Sequence, residues 1–288
     1  MFRRIIIMTY ALCFFLLVGC NKKDPVAPVS PKEDITMENI MGKWYSLFAD
    51  PEISNKMVFF LDNRSDSTAT IGILNGPTEV SLLEVSYYVD NNVYVFIAPE
   101  VDTSKQNALQ IMFADDMGGL IYSDEIYLAE GKLHFVEGEE TFVFSKTIPP
   151  VSGGKITGSL TVTGEFGQGA AIISAYDPVK ETIGVTFLSQ PGLYYLQGLA
   201  DGEYLTLATY IPKEHALDWM YHDPSYFPYE LRETEVEISG GNTVSNINFN
   251  LNLSNVGSNK YSIKKDTREH KIAIKCFQML KNLSIFTK

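Results

Sequence analysis

The residues of this chain that could do chemistry are its histidines, its cysteines and its many carboxylates. His215, His222 and Asp223 share one stretch of sequence, and imidazole and carboxylate groups together can hold a zinc ion. The histidines do not have the spacing that one helix or strand would bring together, so this is a weak zinc motif. His134 and His270 lie far from it. We therefore expect no metal centre and no cofactor.

Motifs of the common enzyme classes are absent from the sequence. It contains no Gly-x-Ser-x-Gly nucleophile motif, no phosphate-binding loop and no dinucleotide fingerprint. Asp115 and Asp116 lack the regular alternation of a calcium loop. Paired acids carry no information in a chain with 35 of them. The sequence predicts a protein that is not an enzyme.

The charge distribution bears on the partners. The net charge is −12, and basic residues are concentrated after Ser254, so residues 21–253 are more acidic than the total indicates. An acidic surface repels phosphate backbones, and we do not expect nucleic acid as a partner. An apolar content of 45% supports real hydrophobic cores, and the length is sufficient for two domains.

The N-terminus predicts export. Arg3 and Arg4 precede an apolar run, residues 5–18, which is shorter than the ~20 residues of a membrane-spanning helix and typical of a signal peptide. Leu17-Val18-Gly19-Cys20 closes the run and resembles the lipobox of bacterial lipoproteins. The resemblance implies a signal peptide over residues 1–19 and a lipid on the thiol of Cys20. A plain signal peptide and a signal anchor are the alternatives.

This interpretation also determines which cysteine thiols remain in the mature chain. Cys13 leaves with the signal peptide and Cys20 carries lipid, so Cys276 is the single thiol left. No intramolecular disulfide can form in the mature chain.

Residues 20–34 are interpreted as a tether. Pro25, Pro28 and Pro31 favour an extended spacer with few bulky apolar residues. Lys22-Lys23-Asp24 resembles the charged cluster that directs some Bacteroidota lipoproteins to the outside of the outer membrane. The resemblance implies a protein anchored to the outer membrane by its lipid, with exposure on the cell surface left open.

Residues 35–148 show a two-residue apolar period that predicts strands joined by tight turns. The predicted strands cover residues 57–61, 68–74, 80–89, 93–97, 108–113, 120–128, 133–136 and 141–144. Eight or nine strands in such a row favour an up-and-down antiparallel barrel, which leaves no exposed edges.

Gly42-Lys43-Trp44 stands at the start of this series, after a short helical turn. Here the segment resembles the lipocalin-like proteins, in which Gly-x-Trp opens the first strand. The resemblance implies an antiparallel barrel whose floor is closed by Trp44, with Lys146 packed over the ring where Arg is usual. An unrelated β-sandwich is the alternative.

A boundary is predicted at residues 149–154, which are rich in Pro and Gly. Residues 155–253 then resemble the carboxypeptidase regulatory-like, or prealbumin-like, sandwich of seven strands, in the motifs ITGSL, AAIISAYD and GLYYLQGLADGEYLTLATY. Alternation in the last motif predicts that Tyr204, Ala208 and Tyr210 face one side and Leu205 and Leu207 the other. The fold class is therefore all-β.

A long aromatic connection interrupts this second segment. Exposed rings flanked by Asp and His could stack on a sugar and reach its hydroxyls. The alternative is that the rings cover the end of the sandwich. The candidate ligand-binding residues are Trp219, Tyr221, His222, Asp223, Tyr226 and Phe227.

Residues 254–288 form a basic tail. Ile272, Cys276, Met279, Leu280 and Leu283 fall on one face at helical spacing. Such a helix could bind an anionic membrane or an acidic partner, dock on the acidic domains, or remain a weakly ordered extension.

The prediction is a lipid-anchored cell-envelope binding protein, whose ligand is a glycan or a small apolar molecule. A scaffold lipoprotein that contacts another envelope protein and has no small-molecule ligand is the alternative. An open barrel interior with Tyr and polar groups would favour the first, and an interior filled with Phe, Leu and Met the second.

Overall fold

The computed structural model describes residues 31–49, 53–90, 92–97, 100–117, 120–122, 125–137, 140–222, 226–254 and 268–282. Cys20, Asp223, the predicted signal peptide and most of the predicted tether lie outside these residues. The described chain is mainly antiparallel β-structure with two α-helices, which confirms the all-β class. Neither helix is long and apolar enough to cross a membrane.

Six antiparallel strands form a curled sheet, half a barrel in shape, in which each strand pairs with the next along the chain. From the second strand to the fifth the connections are short turns, which favour pairing of consecutive strands. The strands are Gly42–Ala49 (β1), Lys56–Asn63 (β2), Thr68–Asn75 (β3), Thr78–Asp90 (β4), Val93–Ile97 (β5) and Leu120–Tyr122 (β6). The strand predictions for β2 to β5 are confirmed.

A second sheet of three strands follows, comprising Glu125–Ala129 (β7), Lys132–Glu137 (β8) and Glu140–Phe144 (β9). It meets the six-stranded sheet at two places. Tyr45 of β1 exchanges backbone hydrogen bonds of 2.8 and 2.9 Å with Ser145, just after β9. The N–H of Ile126 in β7 donates to the carbonyl of Asn92 at 2.7 Å.

The strand predicted at residues 108–113 is wrong, because the structure has a helix there, Ala108–Met117 (α1). A reciprocal cap starts it: the N–H of Asn107 donates to Gln110 Oε1, and the N–H of Gln110 donates to Asn107 Oδ1, both at 3.0 Å. Such a capping box satisfies two backbone donors that a helix start leaves open. The prediction of one strand over residues 120–128 is also wrong, because β6 and β7 are separate strands in different sheets.

Helix α1 is apolar on nearly every side, which is typical of a buried helix. Leu109, Ile111 and Phe113 are fully buried in a core that draws side chains from both halves of the chain. The ring of Phe113 meets that of Phe187 edge-on, with 5.6 Å between centroids. The absence of a polar face explains why the sequence pattern did not distinguish this helix from a buried strand.

The second half of the chain forms two facing sheets. One has the order β13-β10-β16, with β17 also paired to β10, and the other has the order β12-β11-β14-β15. The strands are Gly154–Thr163 (β10), Ala170–Asp177 (β11), Thr182–Leu188 (β12), Gly192–Leu199 (β13), Gly202–Ile211 (β14), Tyr229–Ile238 (β15), Thr243–Val244 (β16) and Phe249–Asn252 (β17). Strand β12 was not predicted from the sequence.

Strand β14 shows how the halves combine. As its alternation predicts, Tyr204 and Ala208 pack between the two facing sheets. Leu205 and Leu207 join the core that also contains α1 and part of the six-stranded sheet. Both faces of β14 are therefore buried, one within the second half and the other against the rest of the chain.

Two asparagines fasten the halves to each other. Asn55 accepts from the N–H of Val185 at 2.8 Å and donates to its carbonyl at 3.1 Å. Asn75 accepts from the N–H of Tyr195 at 2.7 Å. A Cβ at Gly76 would lie 2.4 Å from the Tyr195 ring, so the close approach requires glycine there.

The described part of the basic tail is a docked helix, Arg268–Asn282 (α2). Its buried face consists of His270, Ala273, Cys276 and Phe277. This face is rotated from the predicted one, of which Ile272 and Met279 are only partly buried.

Candidate functional site

The aromatic loop, residues 212–228, connects β14 to β15 and contains all six candidate ligand-binding residues. Two single 3₁₀ turns, Lys213–His215 and Trp219–Tyr221, shape it. Pro212 precedes the first turn with a φ of −62°, the value that its ring imposes. The described parts of the loop, residues 212–222 and 226–228, therefore have a defined backbone path, and their rings occupy definite positions.

Two of its rings are core side chains. Trp219 and Phe227 are both buried, and each packs on Phe277 of α2 with 5.5 Å between ring centroids. They are thus covered in the structure, as the alternative of rings that cover the end of the sandwich anticipates. Helix α2 and the aromatic loop hold each other in place.

Two other rings are accessible. Tyr221 is 85% exposed and Tyr226 is 39% exposed. The ring of Tyr226 stacks on the imidazole of His222, with 4.3 Å between centroids and 7° between planes. The surface of the aromatic loop therefore offers tyrosine faces beside polar groups, an arrangement that suits a ligand with both apolar and hydroxyl-bearing faces.

A cluster of three potential metal ligands lies beside these rings. His222 Nε2 is 3.0 Å from Asp218 Oδ2, and His215 Nδ1 is 3.4 Å from Asp218 Oδ1. One ligand atom from each of the three residues lies within 4.8 Å of the other two. We call His215, Asp218 and His222 the His–Asp cluster.

Sequence reasoning considered the two histidines but missed Asp218. It selected Asp223 as their partner, and Asp223 lies outside the described residues. The signal that could have found Asp218 is its position three residues after His215, because residues i and i+3 eclipse in 3₁₀ geometry. Recognising it required knowing that the loop turns in this way.

The predicted floor residues come together at the start of β1. The ammonium of Lys146 lies 3.8 Å from the centroid of the Trp44 ring and donates to the carbonyl of Met41. Partial burial lowers the pKa of Lys146, against the attraction of Asp62. Gly42 has a φ of +82°, a conformation that glycine adopts without strain.

Below this ring lies a buried polar network. The indole N–H of Trp44 and the side-chain amide of Asn63 both donate to the carbonyl of Ile40, at 2.7 and 3.0 Å. The hydroxyl of Tyr94 donates to Asn63 Oδ1 at 2.5 Å. Burial raises the pKa of Tyr94 well above its ordinary value. The polar groups of this region thus satisfy one another.

The concave side of the curled sheet is filled. Tyr87 and Tyr94 stack with 5.1 Å between centroids, and Phe96 and Phe135 continue the aromatic cluster. Leu83 and other aliphatic side chains of the same core are also buried. The described side chains here are packed against one another, and two of the tyrosines belong to that packing.

A groove of about 570 Å³ lies between α2 and the sheet that contains β11 and β14. Its walls are mainly apolar, and two lysines stand on the helix side. The lining residues are Tyr176, Pro178, Leu205, Lys271, Ile272 and Lys275. Lys275 is paired with Glu181 at 2.5 Å, which lowers the pKa of that carboxyl.

Comparison with known proteins adds no assignment. No protein-family model matches the sequence, and no curated protein matches it closely enough to count as a relative. Any function must therefore be argued from the residues themselves.

Proposed function

We propose that the chain is a lipid-anchored cell-envelope binding protein that takes its ligand, of the glycan class, on the surface of the aromatic loop. In this proposal a lipocalin-like barrel is followed by a prealbumin-like sandwich, and a lipid on Cys20 holds both beside the outer membrane. The observation that carries the binding role is the pair of accessible rings, Tyr221 and Tyr226, next to the His–Asp cluster.

The proposed position of the ligand follows from which surfaces are packed with side chains and which aromatic rings are exposed. The concave side of the curled sheet is packed, so it leaves little room for a ligand. Trp219 and Phe227 are buried, which leaves the two tyrosines as ring faces of the loop. Asp218, whose side chain is 51% exposed, supplies an acceptor for sugar hydroxyls nearby.

The binding role can be tested with a glycan array followed by calorimetry on the hits, using the full chain in detergent. We expect Tyr221→Ala and Tyr226→Ala each to weaken binding about 5- to 150-fold, the effect of losing a ring contact of about 1–3 kcal/mol. Tyr88→Ala is the matched control, because Tyr88 is 42% exposed on β4, outside the aromatic loop. A flat array, or equal losses in all three variants, would refute the proposed site.

The anchor needs its own experiment, because it rests on the residues around Cys20 alone. Growth with labelled palmitate should label the chain, and Cys20→Ser should abolish the labelling. Cys13→Ser is the control, since Cys13 stands inside the predicted signal peptide. Labelling that survives Cys20→Ser would contradict the anchor and leave the glycan site untouched.

A scaffold role is the second candidate. The filled concave side and the core shared by both halves favour the scaffold role, because they indicate a rigid, packed structure rather than a barrel with a ligand cavity. If neither glycans nor fatty-acid probes bind the full chain, the scaffold role replaces the binding role.

A further inference from the structure

We propose that the His–Asp cluster binds one divalent transition-metal ion, with zinc as the ion that its donor set fits best. His215 would bind through Nδ1, His222 through Nε2 and Asp218 through a carboxylate oxygen. This inference goes beyond the proposed function, because the ion would hold the aromatic loop whether or not the loop binds a glycan.

The distances suit tetrahedral zinc. Zinc binds histidine nitrogen and carboxylate oxygen at about 2.0–2.2 Å, so two ligand atoms of a tetrahedral site lie about 3.4 Å apart. His215 Nδ1 lies 3.4 Å from Asp218 Oδ1 and His222 Nε2 lies 3.0 Å from Asp218 Oδ2, so each imidazole nitrogen is at about this separation from one of the two carboxylate oxygens. All three ligand atoms lie within 4.8 Å of one another, and rotation of the imidazoles toward a shared point would bring them to the tetrahedral separation.

The donor types also select the ion. Calcium takes six to eight oxygen ligands, and magnesium keeps several waters, so neither is matched by two imidazoles and one carboxylate. Two imidazoles with a carboxylate suit zinc, copper and nickel. Three protein ligands leave a fourth position, and the half-exposed side chain of Asp218 places it toward solvent, where water can occupy it.

Hydrogen bonding does not account for the close contacts of the cluster. His222 Nε2 lies 3.0 Å from Asp218 Oδ2, but the angles of this contact do not meet those of a hydrogen bond. His215 Nδ1 is shielded from solvent and, among the described residues, makes no hydrogen bond of acceptable geometry. A buried polar nitrogen without a hydrogen bond lowers the stability of the folded chain, and coordination to a metal ion would supply the missing partner.

The surroundings hold the ligands in place before any ion arrives. Asp218 donates its backbone N–H to the carbonyl of His215 at 3.3 Å and accepts from the N–H of Tyr221 at 2.9 Å. The Tyr226 ring stacks on His222, and its edge meets His215 with 4.9 Å between centroids. Buried Phe227 packs against both imidazoles from the core side. Such packing fixes ring orientation, as the outer contacts of metal sites commonly do.

A metal would also serve a structural need. The aromatic loop is long, and Cys276, the one cysteine among the described residues, is a free thiol. An ion that joins residues 215, 218 and 222 would tie the two 3₁₀ turns together, as a disulfide does in other secreted proteins.

The test is zinc binding by the full chain in detergent, after chelation and removal of the chelator. We expect one equivalent of Zn²⁺ per chain by calorimetry, and cobalt absorption bands of tetrahedral type when Co²⁺ replaces it. His222→Ala should weaken zinc binding more than about 100-fold, beyond the 10- to 100-fold effect of altering an outer contact.

Asp218→Asn is the second ligand variant, because Asp218 is half exposed and its replacement leaves the packing intact. It should weaken zinc binding while circular dichroism stays unchanged. His134→Ala is the matched control, since His134 stacks on Tyr127 in the three-stranded sheet. The proposal is overturned if the wild type takes up no zinc, if the ligand variants bind like the wild type, or if His134→Ala loses zinc equally.

Discussion

Replacing Phe277 with alanine tests whether helix α2 is docked on the rest of the chain through this side chain. Phe277 is buried and contacts Trp219 and Phe227 of the aromatic loop, each with 5.5 Å between ring centroids. It therefore joins the last described helix to the candidate site. Its removal should affect both.

The expected cost follows from this burial. Phe-to-Ala changes in cores lower the free energy of unfolding by about 3–5 kcal/mol, through lost burial and the cavity left behind. Each aromatic pair that is lost accounts for about 0.5–1.5 kcal/mol of this decrease in the free energy of unfolding. A 15-residue helix is marginal in water by itself, so α2 should also lose helicity once its main anchor is gone.

Urea unfolding followed by tryptophan fluorescence measures the change, because Trp219 is buried in the folded chain and becomes exposed to solvent on unfolding. Hydrogen exchange resolves where the destabilisation is concentrated, and we expect the largest acceleration in α2 and in the aromatic loop.

Gln278→Ala is the control, since Gln278 is the next residue and is exposed. Its effect should stay within about 0.5 kcal/mol, as for most surface changes. If Phe277→Ala costs no more than Gln278→Ala, helix α2 is not held by this contact and the reasoning fails.

Three further predictions concern single side chains. Burial raises the pKa of Cys276 from 9.0 to about 12, so with Cys13 and Cys20 replaced its thiol should react with a maleimide at pH 8 about 1,000-fold more slowly in the folded chain than in urea. The unfolded thiol ionises first, so stability should fall as pH rises from about 9 toward 12, and Cys276→Ala should remove this part of the slope in urea titrations at several pH values; equal thiol reactivity in both states would contradict the burial. Lys146→Met should lower the free energy of unfolding by about 0.5–2 kcal/mol because the cation over Trp44 is lost, whereas Lys146→Arg should keep most of it; identical urea midpoints for both variants would exclude this contact as a source of stability. Asn107→Ala removes half of the capping box of α1 and should cost about 1 kcal/mol by urea unfolding, and an unchanged midpoint would show that the cap is dispensable.

Local patterns predicted the strands well where one face is apolar and turns are marked. Strands β2 to β5, β10, β11, β13 and β14 lie where alternation and glycine-rich turns indicated them. The prediction failed at α1, because residues 108–114 of this helix are nearly all buried and form no polar face that would reveal a helical period. Its capping box, Asn107 with Gln110, was the available signal.

The candidate site was predicted only in part. The aromatic character of the loop and its two histidines were evident from the sequence. Which rings are buried was not, because Trp219 and Phe227 are covered by Phe277, a residue some fifty positions away in the chain. Asp218 joined the cluster only through the path of two 3₁₀ turns.

The sequence by itself determined the β class, the order of most strands and the apolar faces of those strands, because these depend on residue periods and turn chemistry within a few positions. Tertiary structure decided the rest. It placed α1 inside the core shared by both halves, rotated the buried face of α2 toward His270 and Phe277, and brought His215, Asp218 and His222 together. The physical reason is that burial and ligand geometry depend on which distant surfaces meet, and spacing along one segment does not specify that.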